Sequence, residues 1–235
     1  MKKPVEFKWK HYQPDIILLT VRWYLRYNLS FCDLVEMMEE RGLSIAHTTI
    51  MRWVHQYGPE LDERVRRHLQ STNDSWRVDE TYVKVKGQWL YLYRAVDSEG
   101  NTIDFYLSES RDKQATKRFF KKALAFSHVS KPRVITVDKN PAYPIAIQEL
   151  KEEKQMPEGI QLRQVKYLNN IVEQDHRFIK KRIRPMLGLK SLRTAKRIIA
   201  GIEAMHMIKK GQTLQREKSV QNQKQFIHKL FRLAS

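Results

Sequence analysis

The chain has 235 residues, 41% hydrophobic and 30% charged, with five Trp, ten Tyr and nine Phe. That composition excludes a disordered polypeptide and allows one large domain or two small ones. Lys and Arg number 44 against 26 Asp and Glu, a net charge of +18, which points to a polyanionic partner, nucleic acid before membrane, because neutralising phosphates releases counterions.

No apolar run approaches the ~20 residues that span a bilayer, and the N-terminus lacks a signal-peptide layout. The single cysteine, Cys32, has no partner for an internal disulfide, so a reducing cytoplasm is expected. Cys32 itself reads as a small buried residue.

Residues 1–13 are basic and aromatic and are expected to form an arm. Pro14-Asp15 opens a helix in which Ile17, Val21, Tyr24 and Leu25 recur at helical spacing. Ser30 is a good N-cap for a second helix with Phe31, Leu34, Val35 and Met38 on one side and Arg41-Gly42 as its stop. A third helix, TTIMRWVHQYG, turns Ile50, Trp53, Val54 and Tyr57 inward and Thr48, Thr49, Arg52, His55 and Gln56 outward. Three helices with a short Gly-containing turn between the last two match a helix-turn-helix. Its outward set suits phosphate and base-edge contacts, with Arg52 as the base reader. A bundle without a DNA role fits the same periodicity; the net charge favours DNA. Gly58-Pro59 is expected to end this helix and open a short linking one.

From residue 75 the period changes. SWRVDETYVKVKG, WLYLYRAVD and NTIDFYLSES predict a three-strand antiparallel meander. An amphipathic helix (DKQATKRFFKKALAFS), a buried strand of parallel type (RVITVD), a helix from Asn140-Pro141 to about 153, a strand (IQLRQVK) and a helix carrying Glu173 follow. This is the element order of a ribonuclease-H-like fold, an α/β domain with a mixed sheet flanked by helices. The expected domains are an all-α helix-turn-helix domain at 1–70, the catalytic domain at 71–187, and at 188–235 a helix covering one face of the sheet with a basic tail for DNA or another subunit.

Asp79 lies within the first strand and Asp138 ends the fourth, both inside apolar runs. A carboxylate so placed is costly unless paired or bound to a cation. With Glu173 from a helix crossing the same edge, the three form an oxygen-rich site for Mg²⁺, and two such ions can hold the attacking and leaving oxygens of an in-line phosphoryl transfer. His176, Arg177 and Lys180 share the helical face of Glu173, with Ile171, Phe178, Val172 and Ile179 supplying apolar contacts elsewhere around the helix. Glu80 is expected on the opposite sheet face, Asp175 away from Glu173, and Asp97 and Asp104 in turn or solvent roles, with Arg94 free to pair with any of them.

Three segments, WRVDETYVKVKGQWLYLYRAVDSEG, VITVDKNPAY and KYLNNIVEQDHRFIKKR, closely resemble the transposases of the insertion-sequence-six family, members of the DDE recombinase class. The 34 residues between Asp138 and Glu173 match the family spacing. The resemblance implies Asp79, Asp138 and Glu173 as catalytic triad and metal ligands, Lys180 as the basic residue of the class, and Asn169, Asn170, His176 and Arg177 as supporting groups, Arg177 on DNA. It further implies Mg²⁺ (Mn²⁺ substituting), binding of terminal inverted repeats, cleavage to a 3′-hydroxyl, strand transfer through a replicative cointegrate, and a homodimer or larger assembly on double-stranded DNA at the nucleoid. The rival readings are a nuclease or integrase of the same fold without transposition, and a non-enzymatic helix-turn-helix regulator.

Overall fold

A computed structural model describes residues 4–8, 10–165, 169–186, 189–214 and 219–233. Lys2, Lys3 and Trp9 of the expected arm, residues 166–168 before the Glu173 helix and part of the tail lie outside them. The chain divides into two compact units, residues 1–69 with 181–235, and residues 70–180.

The first unit is helical. α1 (Pro14–Arg26), α2 (Phe31–Glu39) and α3 (His47–Arg66) pack on one another. Ile17, Val21, Tyr24, Leu25, Leu34, Met38, Ile50, Trp53, Val54 and Tyr57 are all buried, as their spacing predicts. Ser30 caps α2 through a capping box with Asp33, and Gly42 follows at φ +73°, a left-handed stop that glycine adopts freely. The described residues of the N-terminal segment, 4–8 and 10–12, are not a free arm. Phe7 is buried and stacks on Tyr57 at 5.0 Å, and the Tyr12 hydroxyl donates to Ser44 O. Cys32 is exposed rather than buried.

α3 does not stop at Gly58-Pro59 but runs through it to Arg66. Pro59 forfeits one helical hydrogen bond, and tertiary packing decides the outcome. Gly58 faces Gly201 of α7 (Leu192–Lys210), where the two backbones come together; a Cβ on Gly58 would stand 3.0 Å from Arg197 O. α7 lies along α3 and α1, burying Ala195, Ile198, Ile199 and Ile202. The tail helix α8 (Val220–Leu230) likewise turns its apolar face inward, with Phe226, Ile227, Leu230 and Phe231 buried. Arg64 ties this end together, bonding Glu6, Glu60 and Leu230 O and lying 4.6 Å over the Phe231 ring.

The second unit holds a five-stranded sheet in the order β3-β2-β1-β4-β5. β1 (Ser75–Val85), β2 (Gln88–Asp97) and β3 (Thr102–Ser108) form the antiparallel meander, while β4 (Val134–Val137) and β5 (Gln161–Gln164) continue the sheet in parallel. The element order is the expected one, and the fold is ribonuclease-H-like. α4 (Lys113–Leu124) and α5 (Ala142–Glu152) cover one face, where Phe119, Phe120, Tyr143 and Ile147 pack on Trp76, Val78, Tyr93 and Val137. α6 (Asn170–Ile183) carries Glu173; Val172, His176 and Ile179 are buried along it and Ile171 and Phe178 half-buried.

Close crossing at glycine generates a measurable expectation. A Cβ on Gly201 would meet Leu25 Cδ1 at 2.7 Å and Gly58 Cα at 2.9 Å. Gly→Ala in an open helix gains ~1 kcal/mol, whereas overpacking costs ~1–3 kcal/mol. Backbone on the opposing side cannot yield as a flexible side chain does. Gly201→Ala is therefore expected to lower stability by roughly 1–2 kcal/mol net in urea unfolding, and a gain would refute the crossing.

Candidate active site

The site grows from a mismatch in strand length. β1 pairs with β4 only as far as Arg77↔Thr136, because β4 ends at Val137 while β1 continues to Val85. Past that point Asp79 and Glu80 have no strand neighbour on the β4 side. The loop after β4 folds across the gap, led by Asp138. Its turn is held by Asn140, whose N–H donates to Asp138 Oδ1 at 2.9 Å and whose Oδ1 accepts from Ala142 N at 3.0 Å. The helix expected from Asn140-Pro141 begins at Ala142, with Pro141 at its N-cap.

Asp79, Glu80 and Asp138 each place a carboxylate oxygen within 4.8 Å of the others. Glu173 lines the same cleft with Asp79, Asp138, Arg111, Lys139, Asn140, Pro141 and Asn169, but lies outside that closest trio. The three acids singled out in the sequence are thus brought to one cleft, and a fourth joins them. Strand alternation sends Glu80 to the opposite face, as expected, where Tyr143 O–H and Asn140 Nδ2 donate to it. At the open edge of β1 the two faces meet, so Glu80 still reaches the group.

Arg111, which the sequence reading passed over, supplies the compensating charge. Its guanidinium donates to Glu80 and stands 3.6 Å from Asp138 Oδ2. Position alone gives it this role, since it precedes Asp112, the N-cap of α4. Compensation is incomplete. Burial, then the charge of Glu80, and further Asp138 and Glu173, push the Asp79 carboxyl up to about 7. Such a group of hard oxygens fits a divalent cation.

The sheet face of Asp79 is tied to α6. Arg94, opposite Asp79 in the β1–β2 register, is fully buried and pairs with Asp175 at 2.7 Å. Asp175 is thus part of the scaffold of Glu173. Asn169 is buried and donates from Nδ2 to Val78 O at 3.2 Å. The His176 imidazole lies 3.8 Å from Asp79 Oδ2, too far for a hydrogen bond. Burial, with the charge of Arg94, lowers its pKa to about 3, so the contact is between a carboxyl and a neutral ring, not an ion pair. Arg177 and Lys180 are exposed and are not among the side chains lining the cleft.

The remaining acids are structural. Asp97 closes the β2–β3 turn, accepting from Glu99 N and Asn101 N. Asp104 is buried and pairs with Lys122 at 2.9 Å, not a solvent role. On the helical unit, Thr48, Arg52 and Gln56 are exposed and Thr49 and His55 half-buried. Gln56 accepts from Lys10 Nζ at 3.1 Å, and burial followed by the charge of Arg197 lowers the His55 pKa.

A family model described as a DDE domain matches residues 73–212. The transposase for insertion sequence-like element IS431mec of Staphylococcus aureus is 37% identical over 204 residues, 87% of this chain and 88% of that one. The transposase for insertion sequence element IS257 in transposon Tn4003, also of Staphylococcus aureus, is 36% identical over the same shares. Among solved structures, the HTLV-2 integrase catalytic core domain in complex with magnesium (trimeric form) aligns with a TM-score of 0.43 and 19% identity, over 56% of this chain and 84% of that one.

Asp79 generates a pH expectation. Its pKa rises from 3.8 to about 7 on folding, so the folded chain binds the proton more tightly than the unfolded one. The stability this contributes is full below 3.8 and is lost as pH rises through 7, on the order of 4 kcal/mol at most. A divalent cation relieves the same repulsion and competes with the proton. The cation-induced rise in thermal midpoint is therefore expected to be larger at pH 8 than at pH 5; an equal or inverted rise in calorimetry would contradict the cluster.

Proposed function

This chain belongs to the insertion-sequence-six family of DDE transposases, and on that premise we propose that Asp79, Asp138 and Glu173 are the acids with which it cuts the ends of an insertion sequence and joins them to target DNA. The observation that carries the reading is the convergence of these three side chains, far apart in sequence, on one cleft. The chain as a whole acts on double-stranded DNA, at the terminal inverted repeats of its element and at a target site.

Asp79 and Asp138, with Glu173, would hold Mg²⁺, or Mn²⁺ in its place. When bound, the cation supplies Lewis-acid stabilisation of charge on the phosphoryl oxygens. Water attacks the phosphorus at the element's end, and the bond to the 3′ oxygen breaks, leaving a 3′-hydroxyl. That oxygen then attacks a phosphorus of target DNA and displaces a second 3′ oxygen, so one phosphodiester replaces another and no protein–DNA bond forms. Arg111 holds Glu80 in the wall of the cleft and keeps its charge from adding fully to that of Asp79 and Asp138. Lys180 and Arg177, exposed beyond Glu173, orient backbone phosphates towards the acids. The neutral His176 fills the space behind Asp79 without a competing positive charge.

Thr48, Arg52 and Gln56, exposed on α3, are the foremost end-recognition groups, with the half-buried Thr49 and His55 closer to the packed side. An element has two ends, so a dimer or larger assembly brings them together, and the joined product is a cointegrate of donor and target. The work takes place in the cytoplasm, at the nucleoid.

Asp79→Asn and Glu173→Gln are expected to lower cleavage and strand transfer at least a thousandfold, equivalent to ~4 kcal/mol of transition-state stabilisation, while binding to terminal-repeat DNA persists in a gel-shift assay. Normal strand transfer by either variant removes that residue from the reaction. Arg52→Ala is expected to weaken binding to the terminal repeats, by about ten- to a hundredfold for a lost bidentate base contact, and to leave cation-induced stabilisation unchanged. Undiminished affinity for the repeats would take end recognition away from Arg52.

A further inference from the structure

The β1–β2 hairpin runs on beyond its helical cover. On the face packed by α4 and α5, residues of β1 and β2 pair as Val78↔Ala95, Glu80↔Tyr93, Tyr82↔Tyr91 and Lys84↔Trp89. Cover reaches Tyr93, which stacks on Phe119 at 5.9 Å, and Glu80, which receives Tyr143. The next two pairs are open. Tyr82 is 49% exposed and Trp89 61% exposed, with Tyr91 half-buried between them. Meanwhile Val83, Val85, Leu90 and Leu92 on the reverse face are buried, so the strands are fixed and the exposed rings project from a rigid support.

The rings form one cluster. Tyr82 lies 5.4 Å from Tyr91 and 6.4 Å from Trp89, and Lys84 Nζ is 5.8 Å from the centre of the Trp89 ring. Lys86 and Gly87, at φ 49° and 82°, make the two-residue turn at the tip and add a second ammonium there. Two large aromatics left open, with a third half-buried between them, mark a binding site. Their charge surroundings are cationic. At the inner end stands Arg111, which holds Glu80 and approaches Asp138. The patch is therefore continuous with the acid cleft. Tyr82 is two residues beyond Glu80 on the same sheet face, ~7 Å, or about two base steps of DNA, while Asp79 points to the other face at the open edge of the strand.

Flat rings flanked by ammonium groups suit nucleobases beside a phosphate backbone. Paired bases in a duplex have no free face to offer, so the matching ligand is a strand whose bases have left the stack. We propose that Tyr82, Tyr91 and Trp89, with Lys84, form a stacking platform for unpaired nucleobases of the DNA strand that passes the acid cleft. The assignment rests on the DNA strand-transfer reading of that cleft, and it adds a requirement for local strand opening near the reacting phosphate.

The test uses the full chain in chelator-containing buffer, so that no cutting occurs, and two probes: a blunt duplex and the same duplex ending in an unpaired thymine tract. Fluorescence anisotropy is expected to show tighter binding of the forked probe. Trp89→Ala and Tyr82→Ala are each expected to weaken forked-probe binding about tenfold while blunt-probe affinity stays within about twofold, and Trp89→Phe is expected to retain the preference. Equal losses on both probes, or no loss on either, overturn the platform. Retained fork preference with a shift from dimer to monomer in sedimentation would make the patch a subunit contact and overturn it as well. Asp79→Asn run alongside keeps the two readings apart: it is expected to keep fork preference and lose cutting in Mg²⁺, and cutting that survived would defeat the acid assignment without touching the stacking result.

Discussion

Repulsion among carboxylates at one end of a sheet is the constraint around which the second unit is arranged. Asp79, Glu80 and Asp138 stand within 4.8 Å of one another, and burial adds to the strain by holding Asp79 near pKa 7. Two adjacent acids on a strand ordinarily diverge, one to each face. Here the short β4 removes the neighbour that would keep the faces apart, and the Asp138 loop closes the gap. Arg111 answers part of the charge from the side, and a cation is the natural remainder. A cluster so placed is unfavourable for folding, which is the usual mark of a site kept for chemistry.

Neighbouring residues divide the electrostatic work. Arg111 lies with Glu80 and Asp138, at the mouth of the cleft. Arg94, directly opposite Asp79 and on the same face of the sheet, has Asp175 on α6 as its partner. The guanidinium nearest to Asp79 in the register is thus committed elsewhere, and Asp79 is left for a ligand. His176 occupies the adjoining space as a neutral ring, its positive form disfavoured by burial and by Arg94.

Much of this arrangement was legible in the sequence, and the misses share a cause. Asp79 and Asp138 stood out because each interrupts an apolar run, and Glu173 because a helix crossing the same edge carries it with His176, Arg177 and Lys180 on its face. The three-helix start and the strand order followed from periodicities of 3.6 and 2. Glu80 was set aside because alternation predicts the face of a side chain but not where a neighbouring strand stops. Arg111 lies in a loop, where no period assigns a direction. Gly58-Pro59 carries a strong turn signal, yet the contact with Gly201 comes from a helix more than a hundred residues later and has no local trace. The same long-range packing took α7 and the tail to the N-terminal helices, and fixed Phe7 against Tyr57.

The position of Glu173 follows from these contacts. It sits near the start of α6, exposed, with no ladder of its own to hold it, so its place over the cleft depends on how α6 is fastened. Asn169, just before the helix, bonds the carbonyl of Val78, and Asp175, two residues after Glu173, pairs with the residue opposite Asp79. Both fastenings thus end on Val78 or on the partner of Asp79, within one step of the acid that Glu173 must face. Val172 and Ile179 are buried along the same side of the helix and limit its rotation. Burying Arg94 costs several kcal/mol even when it is paired, and a hydrophobic pair could hold a helix as firmly. What the ion pair adds is placement: Arg94, fixed in the sheet opposite Asp79, holds Asp175 there, and with it the turn of α6 that carries Glu173 towards Asp79 and Asp138.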